Sequence, residues 1–305
     1  MKKLALATLM AATIAGSVMA EEPTLVKSLF TSEEGQTVTW ESTLTIPAAD
    51  FADVTIEPGN YLYITFSATT DVIELKANGE KLPGTLFTWL GEGKTDLKVY
   101  FTEDMISAVK ANGVELCGAS FSVTGVGIYS DGTTAPAGAV WCGYFWVDNW
   151  NTLELFKEAF NRFDEHRYID IYLSDEADYN SYFIKMMTSW EDSGLVAGND
   201  VIEHNNKCAT LDLTANNIDL RSKLTSDRLM IQMNPEGGAA FNIRAIVLRH
   251  DGESNVLNLT TAENTLVNVY NMQGVVVARD VDKATATQGL PAGLYIVGDK
   301  KVLVK

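Results

Sequence analysis

Cysteine, histidine and proline are scarce in this chain of 305 residues, which has three, three and seven of them. Cys117, Cys142 and Cys208 are odd in number and irregularly spaced, which excludes the disulfide framework that staples small exported domains. Cys142 with Cys208 is the pairing expected if a bridge forms; the alternative is that all the cysteines serve as small buried hydrophobes. His166, His204 and His250 stand far apart and show no metal-ligand spacing. Basic residues are also few, 23 against 40 acidic ones, for a formal charge of −17. Such a surface repels phosphate backbones and anionic membranes, so no nucleic-acid partner is expected and neutral ligands are favoured. P-loop, dinucleotide and Ser-His-Asp nucleophile patterns are absent from the sequence. No run after residue 20 approaches the length of a membrane span, so no membrane insertion is expected.

The one long apolar run is at the start. MKKLALATLMAATIAGSVMA has a basic opening, an apolar middle too short to span as an ordinary helix, and small residues before the pair of glutamates. That is the pattern of a cleaved signal peptide over 1–20, and it predicts a chain that is exported and then soluble.

Beyond it, short runs of alternating or β-branched residues dominate: TVTWESTLTI, YLYITFSA, DVIELKA, DLKVYF, YIDIYLS and FNIRAIVLR. Gly, Asn, Asp and Pro turns separate them, the pattern of an all-β sandwich. DMISAVKANG and LELFKEAFNRF are the two candidate short helices, and DGTTAPAGA (131–139) reads as a linker. Residues before that linker echo those after it. WESTLTIPAADF matches WNTLELFKEAF, YLYITFS matches YIDIYLS, and VELCGASFSVTGVGI matches LMIQMNPEGGAAFNIRAIVL with an insertion. A period of roughly 110 residues is too long for a solenoid and implies a duplicated domain. The expected organisation is a first antiparallel β-sandwich over 21–130, a second over 140–250, each jelly-roll or galactose-binding-like, and a smaller β segment over 251–305.

Duplication supplies a control. Phe30 with Trp141, Leu44 with Leu153, Ile46 with Leu155, Phe51 with Phe160 and Phe121 with Phe241 are apolar in both copies and are expected in the shared core. Rings found in one copy alone are not needed by the scaffold. WCGYFWVDNW (141–150) holds three of the six tryptophans. Strand alternation puts Trp141 on the core face and Tyr144 and Trp146 on the other, where the first copy has Thr, Ser, Glu and Gln. Trp190 beside Glu191, and Gln232 where the first copy has Cys117, also belong to the second copy alone; Trp150 is matched by Trp40. Trp89 is the best ring for a site in the first copy. Flat rings flanked by amides and carboxylates suit a sugar, whose C–H face packs on the ring while its hydroxyls need fixed partners. The expected binding set is Tyr144, Trp146, Trp150, Trp190, Glu191 and Gln232. Each has a plainer reading as an interface, loop-packing or solvated residue.

VWCG (140–143), Trp150, IPAADF (46–51), Ser189-Trp190 and Gln232 resemble motifs of carbohydrate-binding-module-like β-sandwich domains of exported Bacteroidetes proteins. The resemblance implies polysaccharide as the partner. VNVYNMQG (267–274), LPAGLYIV (290–297) and KKVLVK (300–305) resemble the C-terminal sorting domain of the type IX secretion system. That implies contact with its machinery and secretion or retention at the outer cell surface.

Two other classes remain open. A structural or adhesin-type protein would bury the rings between its domains. A jelly-roll polysaccharide-degrading enzyme would need two carboxylates facing each other across a cleft, but with 40 acidic residues a close pair carries little information. Asp175, Glu176 and Asp178 in YLSDEADYNSY read as a solvated loop; a structural Ca²⁺ there is the other reading, which the spacing does not support. No catalytic residue, metal or cofactor is expected.

Overall fold

The computed structural model describes residues 23–67, 72–89, 93–161, 166–174, 182–205, 207–224, 226–236, 238–253, 266–271, 276–282, 290, 293–297 and 300–304. The expected leader and the acidic run at 175–178 lie outside the described residues.

The alternating runs fold as strands because one face of each is apolar. In the first half these are β1 (Thr24–Val38), β2 (Leu44–Ile46), β3 (Tyr61–Phe66), β4 (Val72–Ala77), β5 (Glu80–Lys81), β6 (Thr88–Trp89), β7 (Asp96–Tyr100), β8 (Val114–Gly118) and β9 (Phe121–Ser130). One sheet runs β1-β9-β3-β7, and the other β2-β8-β4-β5 with β6 also on β4. Leu44, Ile46, Phe51, Leu62, Ile64, Phe66, Leu75, Leu116 and Phe121 fill the space between them. Two helices close the ends. Phe51 of α1 (Ala49–Ala52) and Met105 and Val109 of α2 (Glu103–Asn112) are buried. Thr102 caps α2 by accepting from Met105 N, and Glu103 and Asp104 occupy its first turn, where the helix dipole favours negative charge.

The second half repeats this path with β10 (Ala139–Val147), β11 (Asn151–Phe156), β12 (Tyr168–Leu173), β13 (Phe183–Met187), β14 (Leu195–Ala197), β15 (Ile202–Asn205), β16 (Cys208–Asp212), β17 (Arg228–Asn234) and β18 (Phe241–Arg249). Its sheets run β10-β18-β12-β16-β15 and β11-β17-β13-β14. Set aside β6 and β15, and both halves have the same strand order, alternating between two antiparallel sheets as in a jelly roll. Leu153, Leu155, Phe160, Ile169, Ile171, Ile231 and Phe241 form the second core. The apolar pairs expected from duplication therefore sit in corresponding places; Phe30 is only partly buried against its core.

LELFKEAF is not a helix. Asn151–Phe156 is strand and Lys157–Phe160 a 3₁₀ turn, because Leu153 and Leu155 enter the core at a spacing of two and Phe160 takes the position of Phe51. Nor is 131–138 a free linker. Ala135 N donates to Pro58 O at 3.1 Å, and a Cβ on Gly59 (φ +101) would stand 2.2 Å from Thr133 O. Ala139 is already part of β10. A further sheet, β20-β19-β21-β22, comprises β19 (Leu266–Asn271), β20 (Val276–Asp282), β21 (Gly293–Val297) and β22 (Lys300–Val304).

The central strands β3 and β12 are covered on both faces. Their even and odd positions serve different cores: Leu62 and Ile64 inside the first jelly roll, Tyr61 and Tyr63 outside it, and in β12 Ile169 and Ile171 inside, Tyr172 outside. The outward residues meet in a third cluster of Tyr61, Tyr100, Ala139, Cys142, Tyr172, Cys208, Ala245 and Val247, flanked by Tyr63 and Tyr129. Tyrosines of one jelly roll thus pack on thiols and small residues of the other. The cysteines are free and buried, so the expected Cys142–Cys208 bridge is not formed. Cys142 Sγ instead donates to Phe101 O at 3.8 Å, and Cys208 Sγ lies 3.6 Å from Thr210 Oγ1. A second seam joins the halves where Phe87 N donates to Glu154 O at 2.9 Å and Phe156 N to Thr85 O at 3.3 Å. Leu86 reaches the second core there, and the outer edge of β11 gains a partner.

Next to the third cluster lies a buried ion pair. Asp170, with no exposed surface, accepts from Thr210 Oγ1 at 2.6 Å and from the Arg249 guanidinium. Asp170→Ala leaves the largely covered Arg249, with 11% of its side chain exposed, without its counter-charge and is expected to cost about 3 kcal/mol. Asp251→Ala, which removes an exposed partner of Arg167, is expected to cost less than about 1 kcal/mol. Urea unfolding followed by intrinsic fluorescence compares the two, and equal losses would refute the assignment.

Burial pushes the Cys142 and Cys208 thiols up to about 12 and the Tyr61 phenol also up to about 12. The unfolded chain loses these protons at lower pH than the folded chain does. The stability they confer is therefore whole below about pH 8.5 and is lost as pH rises towards 12. Melting temperatures between pH 8 and 11 should fall more steeply for the parent than for Cys142→Ala/Cys208→Ala; parallel curves would count against this linkage.

Candidate functional site

β10 carries the aromatic run, and its pairing with β18 has two irregularities. Ala139 faces Val247 and Trp141 faces Ile246, then Cys142 faces Ala245 and Phe145 faces Ile243. The extra residues turn the strand so that Val140, Trp141 and Val147 enter the second core, with Phe145 packed against it. Cys142 turns to the first jelly roll. The second bulge lies at Gly143 (φ +150), where an added Cβ would sit 3.1 Å from the Trp141 ring and 3.3 Å from Tyr100 Cδ2. Glycine there lets the ring of the first jelly roll close onto the strand.

Past the bulge the outer face opens. Tyr144 and Trp146 are each 53% exposed. The Tyr144 ring is 5.9 Å from that of Tyr100, whose hydroxyl donates to Asp131 Oδ2 at 2.8 Å. Burial and this hydrogen bond push the Tyr100 phenol far above its usual range. Arg244, on the neighbouring β18, holds its guanidinium carbon 3.6 Å from the centre of the Tyr144 ring. Its Nε donates to Gly143 O at 3.1 Å. Trp146 stands opposite Asn242, whose backbone N donates to Ser174 Oγ at 2.9 Å. The result is a shelf of two rings, a guanidinium and an amide, walled at one end by Tyr100.

The remaining expected residues lie elsewhere. Trp150, 46% exposed, sits at the turn into β11 with φ +50. That turn is tied by Asn151 Oδ1, which accepts from Asp148 N and Asn149 N at 2.9 Å each. The Trp150 ring lies 5.2 Å from Phe183 at the start of β13. Gln232 shares the outer face of that sheet, paired with Thr152 and Lys185, and its Nε2 donates to Thr152 Oγ1 at 3.3 Å. Trp190, 65% exposed, follows the other end of β13 together with Glu191, in a loop closed by Thr188 N to Gly194 O at 2.8 Å. A cavity of about 340 Å³ adjoins that loop, lined by Thr188, Ser189, Ser193, Ser222, Lys223 and Ser226. The six expected residues thus fall into three groups: Tyr144 with Trp146, Trp150 with Gln232, and Trp190 with Glu191. No single plane gathers them.

The first jelly roll differs at the matching places. Cys117 takes the position of Gln232, since Leu44 pairs with Leu116 as Leu153 pairs with Ile231. It is buried, with its thiol on Glu74 O at 3.8 Å. Trp40 keeps an exposed ring, with Lys76 Nζ 6.0 Å from its centre. The ring of Trp89 lies outside the described residues. Sequence reasoning missed Arg244, Asn242 and Tyr100. FNIRAIVLR did signal that Asn242 and Arg244 alternate with core residues, but nothing in it told that β18 lies beside β10. Among the described residues no group of three or more His, Cys, Asp or Glu is arranged to hold a metal ion, and no helix is long and apolar enough to cross a membrane.

Neither a family model nor a curated protein matches the chain. Among solved structures it is similar to the major capsid protein P2 from bacteriophage PM2, with a TM-score of 0.24 and 9% identity over 76% of this chain and 100% of that one. A likeness of that size carries no argument about fold or function.

Gly143 is the residue on which the shelf turns. Gly143→Ala is expected to cost about 1–3 kcal/mol through its positive φ and the contact with Tyr100, and to detach the Tyr144 ring. Calorimetry reads the first effect and tyrosine fluorescence the second; an unchanged melting temperature would show that the bulge carries no strain against a side chain.

Proposed function

We propose that this chain is a non-catalytic polysaccharide-binding protein, exported to the outer cell surface or beyond, and that the second jelly roll holds the sugar. The observation that carries this reading is the pair Tyr144 and Trp146, two large rings half exposed on one strand face. Both stand where the first copy has small or polar residues. Exposed rings two positions apart on a strand are spaced at about 7 Å, and such rings offer apolar surface at low entropic cost. Asn242 and Arg244 supply polar groups beside them. Trp190, with Glu191 and the serine-lined cavity, forms a second contact region on the same jelly roll, and Trp150 with Gln232 a third. A weak contact with each sugar is multiplied along a polymer that engages several of these regions.

The signal-peptide pattern at 1–20 and the sorting-domain motifs support the localisation. Each of the three C-terminal motifs carries one strand of the last sheet: β19, β21 and β22.

Affinity electrophoresis of the full chain against soluble glucans, mannans, xylans and pectins tests the reading. Retardation by at least one polymer is expected, with Trp146→Ala weakening it about tenfold, equivalent to ~1.4 kcal/mol, and Trp190→Ala by a smaller factor. Folded protein that no polymer retards would refute it.

A further inference from the structure

The net charge of −17 argues for neutral ligands, but the charged side chain stacked on the shelf, Arg244, is basic. In the second jelly roll, Arg167, Arg228 and Arg249 each hold a carboxylate: Asp212 at 2.7 Å, Glu154 at 2.6 Å and Asp170. Arg244 holds none; among the described residues it makes no ion pair, although acidic residues outnumber basic ones by 40 to 23. The nearby acid, Asp131, accepts instead from Tyr100 OH and from Thr133 N at 3.1 Å.

Nor is the Arg244 side chain loose. Its plane is fixed over the Tyr144 ring at 3.6 Å and its Nε is spent on Gly143 O. The two Nη groups are left as a fork, on the strand that pairs with the one carrying the exposed Trp146. A planar fork with its rotamer already set is built for bidentate contact with a carboxylate, and stacking on a ring removes the entropic cost of ordering it.

We propose that the ligand is an acidic polysaccharide carrying uronate units, with the sugar face on Trp146 and the uronate carboxylate on the Arg244 fork that the Tyr144 ring holds in place. The proposal rests on the reading of this shelf as a sugar site and adds the chemical class of the sugar. It also gives the first jelly roll a part in the site, since Tyr100 supports the Tyr144 ring that orients Arg244.

The test uses the full chain in affinity electrophoresis against polygalacturonate and alginate, each beside its carboxyl-reduced form, which keeps linkage and length but removes the charge. The parent should be retarded by at least one of the acidic polymers at about tenfold lower concentration than by its reduced form, the order expected for a charge-assisted bidentate contact. Arg244→Gln should abolish that preference, and Arg244→Lys should restore only part of it, since the charge returns without the fork. Equal retardation by acidic and reduced polymers, or a preference that survives in a folded Arg244→Gln chain, would overturn the uronate assignment while leaving sugar binding intact. Retardation by no polymer would overturn both. The comparison of polymers on the parent chain needs no variant, so a poorly folding substitution does not spoil it.

Discussion

The packing of one jelly roll on the outer face of the other is the contact from which the remaining features follow. A β-sandwich ordinarily leaves its outer faces to water, with polar residues on them. Here the outer face of the β10-β18-β12-β16 sheet carries Cys142, Ala245, Val247, Tyr172 and Cys208, and Tyr61, Tyr100, Tyr63 and Tyr129 of the first jelly roll cover it. Tyrosines suit such a seam, since their rings bury area while their hydroxyls find partners at its margin, as Tyr100 does at Asp131. The bonds at 85–87 join the two halves at a second place, and the Asp170–Arg249 pair lies beside the seam within the second jelly roll.

That seam covers part of the sheet and stops at Gly143. The outward residues of β10 before the bulge, Ala139 and Cys142, are buried against the first jelly roll, and those after it, Tyr144 and Trp146, remain in water. The same packing therefore makes the interface and defines the shelf beside it. Divergence between the copies follows the same logic: the inner positions are alike, while the outer ones were free to change, Cys117 against Gln232 and Thr or Glu against Tyr and Trp.

Much of this was legible in the residues. The strand runs, the duplication, the core pairs and the outward direction of Tyr144, Trp146 and Gln232 follow from a period of two, which a strand imposes on every side chain. The helix at Glu103–Asn112 was legible as the stretch DMISAVKANG. LELFKEAF was misleading because its apolar residues also fit a helical spacing over so short a stretch. The stretch at 131–138 looked like a linker because its composition is that of a loop, and composition does not tell a free loop from one packed against a neighbour.

Alternation along the chain thus determined which residues point inward and which outward, since that is a local property of each strand. It did not determine what lies against an outward face, because strands far apart in sequence become neighbours only through the sheet order. Cys142 and Tyr144 both point outward, yet one is sealed under Phe101 and the other stacks with Arg244, a partner a hundred residues further on. Tertiary packing alone separates a buried outward thiol from an exposed outward ring, because burial depends on which surface is covered and not on which way a side chain points.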